Sequence, residues 1–467
     1  MLTYPLTKTG GISLYEQLYR CIKDDILAGR LTAEEKLPSK RALAAHLEVS
    51  VITVKNAYEQ LMAEGYIYGR EKRGYYVSPV QRPLAAQQTA GELPPLPEPS
   101  WEMDLVTNSI AAEDFPFTVW ARLMRQTILE QGTGLLYAMP PQGAPELRRA
   151  IAAYLRQFRG MAVDAGQIII GAGTELLYSM LVQLLGRDKR YAVEDPGYGK
   201  IARIYRSNQA EVSYIPLDSG GLSVAALEGA GADVVHISPS HHYPTGLVMP
   251  IARRQELLHW AEQGPDRFIL EDDYDSEFRF VGRPIPTLFS VDEGGRVIYL
   301  NTFSKTIAPS IRISYMVLPR RLLAAFREKL GFYACTVSGF EQYTLARFMA
   351  EGYYEKHLNR MRKRYHQKRD AVIACIRSGP LAHRVRITEE DAGLHFLMTL
   401  DTALPDGALR RLAEERGLRL AMLSEYYRDR AAAPPHVLVV NYSGIDMEKL
   451  PRALARLAAL LEENDHE

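Results

Sequence analysis

The sequence is poor in cysteine. Its three, Cys21, Cys335 and Cys375, are too few and too scattered for a zinc cluster or a disulfide framework, which excludes small stapled folds and suits a reducing compartment. A surplus of charge is lacking as well: Lys+Arg and Asp+Glu each total 56, so any surface for a polyanion must come from local arrangement. No uninterrupted apolar run approaches the ~18–20 residues that cross a bilayer. The opening MLTYPLTKTG has neither the basic start nor the apolar core of a secretion signal. These absences predict a soluble, cytoplasmic protein with no metal site and no membrane association.

What is present is length and apolar content. A chain of 467 residues, 47% apolar, is too long for one ordinary domain and can build cores of folded-protein density. Residues 79–100, PVQRPLAAQQTAGELPPLPEPS, carry Pro79, Pro83, Pro94, Pro95, Pro97 and Pro99 with almost no apolar periodicity, the composition of a semi-extended linker. The linker divides the chain into an N-terminal module over 1–78 and a body over 101–467. Within the body a large part over about 101–350 precedes a smaller C-terminal part over about 355–467. No internal repeat is found.

In the N-terminal module, LYEQLYRCIKDDILAG places Leu14, Leu18, Ile22 and Ile26 on one helical face, with Gly29 set to end the helix. A short helix is expected at SKRALAAHL. A third follows in SVITVKNAYEQLMAEG, with Ser50 as N-cap and Val54, Tyr58, Leu61 and Met62 at helical spacing. YIYGREKRGYYVSP then alternates apolar and polar residues around a glycine-bearing turn, as a two-stranded wing does. Helix, short helix, turn, helix and hairpin form a winged helix-turn-helix, whose second helix of the pair enters the major groove.

LPSKRALAAHLEVSVITVKNAYEQLMAEGYI resembles the DNA-binding domain of the GntR family over roughly residues 11–78. The resemblance implies that Arg41 contacts phosphate, that Ser50, Thr53 and Lys55 open the recognition helix on DNA, and that Arg73 and Gly74 form the wing's contact. Many family members carry an arginine just after the Ser50 position, whereas this chain has Val51 and Ile52. These cannot make a bidentate guanine contact but can touch a thymine methyl, which leans the preference toward A·T. Eleven Lys/Arg against nine Asp/Glu over 1–78 leave one module only weakly attracted to DNA, so pairing of two modules is expected.

In the body, QIIIGAG, ADVVHISP, RFILEDDY and RVIYLNTFS alternate with helical segments, which predicts a mostly parallel sheet covered by helices on both faces. From about residue 355 the helical YEKHLNRMRKRYHQKRDAVIACI leads into a smaller α+β region that ends in HVLVVNYSGI and a terminal helix. NTFSKTIAPSIR holds Lys305, flanked by the hydroxyls of Thr302 and Ser304 and followed by Arg312. A Schiff-base lysine needs surroundings that keep its amine neutral, and hydroxyls with an arginine suit a phosphate. EDDYDSEF places Asp272 and Tyr274 on alternate positions, able to face one side. A carboxylate against a pyridine nitrogen keeps that nitrogen protonated, as pyridoxal chemistry requires. GAGTELLYSM puts Ala172, Gly173 and Thr174 where a strand becomes a helix, a place for phosphate, and EDPGYGK offers Tyr198 as an aromatic plate. Singly, each has a plainer reading as a surface charge or core tyrosine. Together they repeat a pattern.

That pattern, with SHHYPTG and LLYAMPPQGAPELRRAIAAYL, resembles fold-type-I pyridoxal-phosphate enzymes over nearly all of residues 101–467. The whole chain resembles the MocR/GabR subfamily of GntR transcription regulators. The resemblance implies an aminotransferase-like body in which Lys305 forms the internal aldimine with pyridoxal 5'-phosphate, Asp272 holds the pyridine nitrogen and Tyr274 the phenolic oxygen. It implies that Tyr198 stacks on the ring, that Gly173, Thr174, Thr302, Ser304 and Arg312 surround the phosphate, and that Tyr137 reaches the phosphate of the partner subunit. A homodimer, head-to-tail in this subfamily, follows from the same likeness. Two departures stand out. Tyr243 replaces the asparagine that many aminotransferases have before Pro-Thr-Gly, which weakens the bond to the ring oxygen or moves it to a neighbour such as His242. The family's arginine for a substrate carboxylate is not evident in HVLVVNYSGI, leaving Arg428 as the candidate for effector binding.

The expected function is a regulator that binds a double-stranded operator and senses a small amino compound through an external aldimine, which changes the relation of body to linker. Two alternatives stay open at this point: a working aminotransferase with an accessory DNA-binding module, and a regulator that senses pyridoxal phosphate itself.

Overall fold

The computed structural model describes residues 2–7, 11–80, 100–108, 110–280, 285–391 and 393–464. Of the linker expected over 79–100, residues 81–99 lie outside the described residues. The chain divides into two compact units, Met1–Glu98 and Pro99–Glu467.

The first unit holds helices Leu14–Leu27, Lys40–His46 and Val51–Ala63, followed by strands Ile67–Arg70 and Gly74–Val77. Each of the last two helices starts on a serine whose hydroxyl accepts an otherwise orphaned amide: Ser39 from Ala42 at 3.2 Å, Ser50 from Thr53 at 3.0 Å. The four-residue spacing of Leu18, Ile22 and Ile26 buries one face of the first helix in a core with Leu43, Val54, Tyr58 and Leu61. The hairpin pairs Arg70 with Gly74, and Gly74 turns the chain with φ +110°. This is the winged helix-turn-helix that the sequence predicts.

The second unit is built on an eight-stranded sheet in the order 168–171, 314–317, 297–302, 268–272, 234–237, 190–195, 211–218 and 221–222. From 297–302 to 211–218 neighbouring strands are parallel. Ser314–Val317 runs against both its neighbours. Strands such as Ile168–Gly171 and Phe268–Asp272 are buried at every position, as strands covered on both faces must be. Tyr191, Leu270, Ile298 and Met316 face the helices Thr174–Leu185, Gly199–Ser207 and Leu323–Leu330. Ile168, Ile170, Tyr299 and Tyr315 pack on the opposite side with Phe117–Gln131, Pro145–Arg159 and Gly339–Ala350.

A smaller antiparallel sheet, Val385–Thr388, His395–Leu400 and Val437–Asn441, packs on helices Tyr353–Ser378, Asp406–Glu415 and Leu450–Asn464. Met103–Asp104 pairs in parallel with Leu418–Arg419, and Met103 and Leu105 enter the same core as Phe396 and Leu454. The first residues after the linker are therefore anchored in the smaller layer. The architecture is a fold-type-I aminotransferase body. No helix among the described residues is long and apolar enough to cross a membrane.

Candidate functional site

Strands ending at Gly171, Asp195, Ile237, Asp272 and Thr302 present their carboxyl ends along one edge of the large sheet, where open α/β sheets place their ligands. The register sets two of these ends on either side of the start of the antiparallel strand, with Thr302 opposite Ser314 and Ser314 opposite Gly171.

At Gly171 the chain turns into helix Thr174–Leu185 through Gly173, whose φ is +90°. A Cβ on Gly173 would overlap the Arg312 guanidinium, so only glycine lets the arginine lie across this turn. Arg312 Nη2 also reaches the Ala172 carbonyl at 3.4 Å and Glu175 Oε2 at 3.2 Å. The amide of Ala172 donates to Thr336 Oγ1 at 3.2 Å and that of Gly173 to the Gly171 carbonyl at 2.9 Å. Amide donors for an anion therefore begin at Thr174, one residue or two later than the sequence pattern places them. Thr302 Oγ1 accepts from the Ser304 amide at 3.1 Å and from Ser314 Oγ at 2.8 Å, which fixes the hydroxyl at this edge. Glu175 contacts Lys200 as well as Arg312, and these cations hold its carboxyl below the usual range, Lys200 first.

Asp272 is buried at its strand end. Tyr178, from the helix behind the sheet, donates to its Oδ2, and His236 Nε2 stands 3.4 Å from the same atom. Tyr205 holds the other ring nitrogen of His236 at 2.5 Å. Among the described residues Asp272 Oδ1 has no partner, although it is shut off from solvent. Burial, and then the neighbouring Asp272, pushes the Tyr178 phenol far above its ordinary value, so it stays a donor. Tyr178, His236 and Tyr205 were not legible as site residues, because they meet only through the register Val193, His236 and Leu270 share across three strands.

Lys305 follows the strand that ends at Thr302 and is partly buried. Among the described residues its amine has no hydrogen-bond or ion-pair partner. Desolvation lowers its pKa, opposed by the charge of Asp275. Tyr274 Oη is 3.3 Å from His241 Nδ1, which is also 3.0 Å from Asp275 Oδ2. His395, which feels the Lys305 charge, has its ring 4.7 Å from that of His241.

Tyr198 is 49% exposed, with its ring edge-on to Tyr243 at 6.0 Å. Tyr243 Oη meets Tyr426 Oη at 2.7 Å. His242 is turned away from the role its position suggested: Nδ1 bonds Thr245 Oγ1 at 2.7 Å and Nε2 lies 3.5 Å from Glu194 Oε2. Burial drives the imidazole down to about 3 and the Glu194 carboxyl up to about 8. Arg428 gives its amide to Asp195 Oδ1 at 2.9 Å, while its guanidinium lies 5.2 Å over the Tyr214 ring. Neither of these contacts brings it to Lys305. Tyr137, just past the short helix Gly132–Leu136, is 75% exposed.

On the winged module Ser50 Oγ and Thr53 Oγ1 are 2.8 Å apart, capping the recognition helix jointly. Val51 and Ile52 stand in its first turn, Ile52 68% exposed. Lys55 pairs with Glu59 at 3.6 Å, and Arg41 and Arg73 project into solvent.

Residues 14–77 match the family described as bacterial regulatory proteins of the gntR family, and residues 102–457 match aminotransferase class I and II. The probable rhizopine catabolism regulatory protein MocR of Rhizobium meliloti is 32% identical over 97% of this chain and 94% of its own length. The chain belongs to the MocR-type regulators of the GntR family. The HTH-type transcriptional regulator YdeL of Bacillus subtilis is 37% identical over 97% of this chain and 98% of its own. The pyridoxine biosynthesis regulator PdxR of Corynebacterium glutamicum is 31% identical over 96% and 95%. The body is also similar to the crystal structure of Pyrococcus horikoshii kynurenine aminotransferase, with 26% identity, a TM-score of 0.66, and coverage of 77% of this chain and 90% of that one. A MocR-type chain is a transcriptional regulator whose helix-turn-helix takes DNA as its partner, fused to an aminotransferase-like domain of a class that typically binds pyridoxal phosphate.

Proposed function

We propose that the body of this regulator holds pyridoxal phosphate, detects a small amino compound there, and alters operator affinity in response. The observation that carries the reading is Asp272 Oδ1, a carboxylate oxygen buried at the end of a central strand and without a partner among the described residues. Leaving such an atom unpaired costs about 1–3 kcal/mol or more, which a protonated ring nitrogen would recover. When bound, pyridoxal phosphate supplies an aldehyde that condenses reversibly with amines. Lys305 is the chain's own amine for that aldehyde, desolvated and free of other partners. Tyr198 offers an exposed face to the ring, and Tyr274 a phenol held protonated by burial and by Asp275. Arg312 and the amides from Thr174 onward are the anion-binding elements, with Thr302 and Ser304 beside them.

Lys305 and an effector amine are alternatives at one position, so effector binding frees Lys305. The signal reaches DNA only to the extent that the effector binds the two operator-affinity states with different strength; tight binding alone shifts nothing. Arg41, Ser50, Thr53, Lys55 and the Arg73–Gly74 wing form the DNA face in this reading, with residues 79–100 as linker. Two copies form the working unit, with the exposed Tyr137 reaching across to the partner's site.

The test is titration of the loaded protein with a panel of amines, read by visible absorbance, followed by operator binding with any amine that changes the spectrum. An amine that changes both supports the reading; spectral change with unaltered operator affinity overturns it. A second reading, in which pyridoxal phosphate itself is the signal, is favoured by the likeness to a relative named for pyridoxine biosynthesis. It requires the coenzyme alone to change operator affinity.

A further inference from the structure

We infer that Asp275 acts through His241 to aim the phenol proton of Tyr274 out of the protein and into the site, which makes His241 and Asp275 positioning residues for whatever Tyr274 binds. The inference rests on the proposed reading of Tyr274 as the donor to the ring oxygen.

Two groups, a carboxylate and a phenol, converge on one atom. His241 Nδ1 lies 3.0 Å from Asp275 Oδ2, 3.2 Å from Asp275 Oδ1 and 3.3 Å from Tyr274 Oη. A ring nitrogen carries either one hydrogen or one lone pair, so it cannot donate to the carboxylate and accept from the phenol at once. Asp275 is 2% exposed, and among the described residues His241 is the hydrogen-bond partner of its carboxylate. Leaving a buried carboxylate unpaired costs more than leaving a phenol proton to be used elsewhere, so the hydrogen sits on Nδ1 and points toward Asp275. Tyr274 Oη then finds an N–H beside it, not an acceptor, and its own proton turns outward.

The other side of the imidazole agrees. His241 lines a small cavity with Arg159, Ser240, Asp275, Ser276 and Arg279, and among the described residues its Nε2, like Ser240 Oγ, Ser276 Oγ and Arg279 Nε, has no hydrogen-bond partner. Hydroxyls and a guanidinium supply hydrogens, which suits a bare, accepting Nε2 and leaves the ring proton to Nδ1. Gly393, with φ +70°, closes the arrangement: a Cβ there would run into both the His241 ring and the Asp275 carboxylate. The rings of His395 and Tyr274 also lie beside His241, and burial holds His395 and the adjacent His242 neutral.

The inference predicts that Asp275→Asn lets Nδ1 shed its hydrogen and accept from Tyr274, withdrawing the donor from the site. A donor to the ring oxygen stabilises negative charge there, so losing it raises the pH midpoint of the loaded protein's visible absorbance by about one unit, a roughly tenfold change in proton affinity. Tyr274→Phe should give a shift of the same sign, and in the Tyr274→Phe background Asp275→Asn should add little. A separate readout needs no coenzyme. In protein labelled with ¹⁵N-histidine, His241 Nδ1 should resonate as a protonated nitrogen in the wild type and as an unprotonated one in Asp275→Asn. Unprotonated Nδ1 in the wild type, or additive midpoint shifts in the double variant, overturns the inference. Absence of any visible band in the loaded wild type refutes the cofactor reading instead and leaves the NMR result to decide the tautomer.

Discussion

Tyr178 donates its hydrogen bond to one oxygen of Asp272, and the other, Oδ1, is buried and without a partner among the described residues. The carboxylate is thereby held through one oxygen, with the other left to accept. Asp272→Asn keeps the shape and loses the charge, so it removes a charge-assisted hydrogen bond worth about 1.5–3 kcal/mol. Retention of pyridoxal phosphate, measured by equilibrium dialysis, should weaken about tenfold to a hundredfold while the melting temperature of the coenzyme-free protein holds or rises. Unchanged affinity would remove Asp272 from the site.

Gly173 and Arg312 make a second testable pair. Alanine at 173 must adopt φ +90° and displace the guanidinium, a strain of about 1–3 kcal/mol. Gly173→Ala should lower stability by that order in urea unfolding and weaken binding of inorganic phosphate as well as of the coenzyme. Arg312→Ala should weaken phosphate binding without the stability loss.

How much of this was legible in the sequence differs by residue. Lys305, Asp272 and Tyr274 sit within short stretches at strand ends, where strand period and motif spacing place a side chain without knowledge of its neighbours. Tyr178 and Asp272 are 94 residues apart and His236 and Asp272 are 36 apart, and their meeting depends on strand order, which periodicity does not encode. The helix start alone points to Ala172, Gly173 and Thr174 as a place for phosphate; Thr336, arriving from a distant segment, takes the amide of the first of them. His242 likewise had a neighbour the motif could not show, Glu194 from the strand Arg190–Asp195.

Glu194 gives a pH dependence with a definite sign. Burial raises its carboxyl to about 8, so the folded protein binds a proton that the unfolded chain releases near its ordinary value. That contribution is complete below the unfolded value and is lost as pH climbs to about 8, so stability should fall between about pH 5 and about pH 8 on this account. Glu194→Gln, which mimics the protonated form, should flatten that fall in thermal unfolding. A slope unchanged by the substitution would mean Glu194 is ionised in the fold.

On the winged module, Arg41 and Ile52 separate two kinds of contact. Arg41→Ala should weaken binding to all duplexes about equally and reduce the slope of log affinity against log salt by about one. Ile52→Ala should leave that slope alone and cost about 1 kcal/mol only on duplexes with a thymine at the contacted step. Fluorescence anisotropy with duplexes selected from a random pool distinguishes the two, and equal effects of both substitutions on all sequences would refute the direct-contact role of Ile52.

The visible absorbance of purified wild type and Lys305→Ala, each incubated with pyridoxal phosphate and freed of excess, decides whether the Lys305 amine holds the coenzyme. A stable band is expected in the wild type and none in the variant; a band that survives in Lys305→Ala, or none in the wild type, refutes that role.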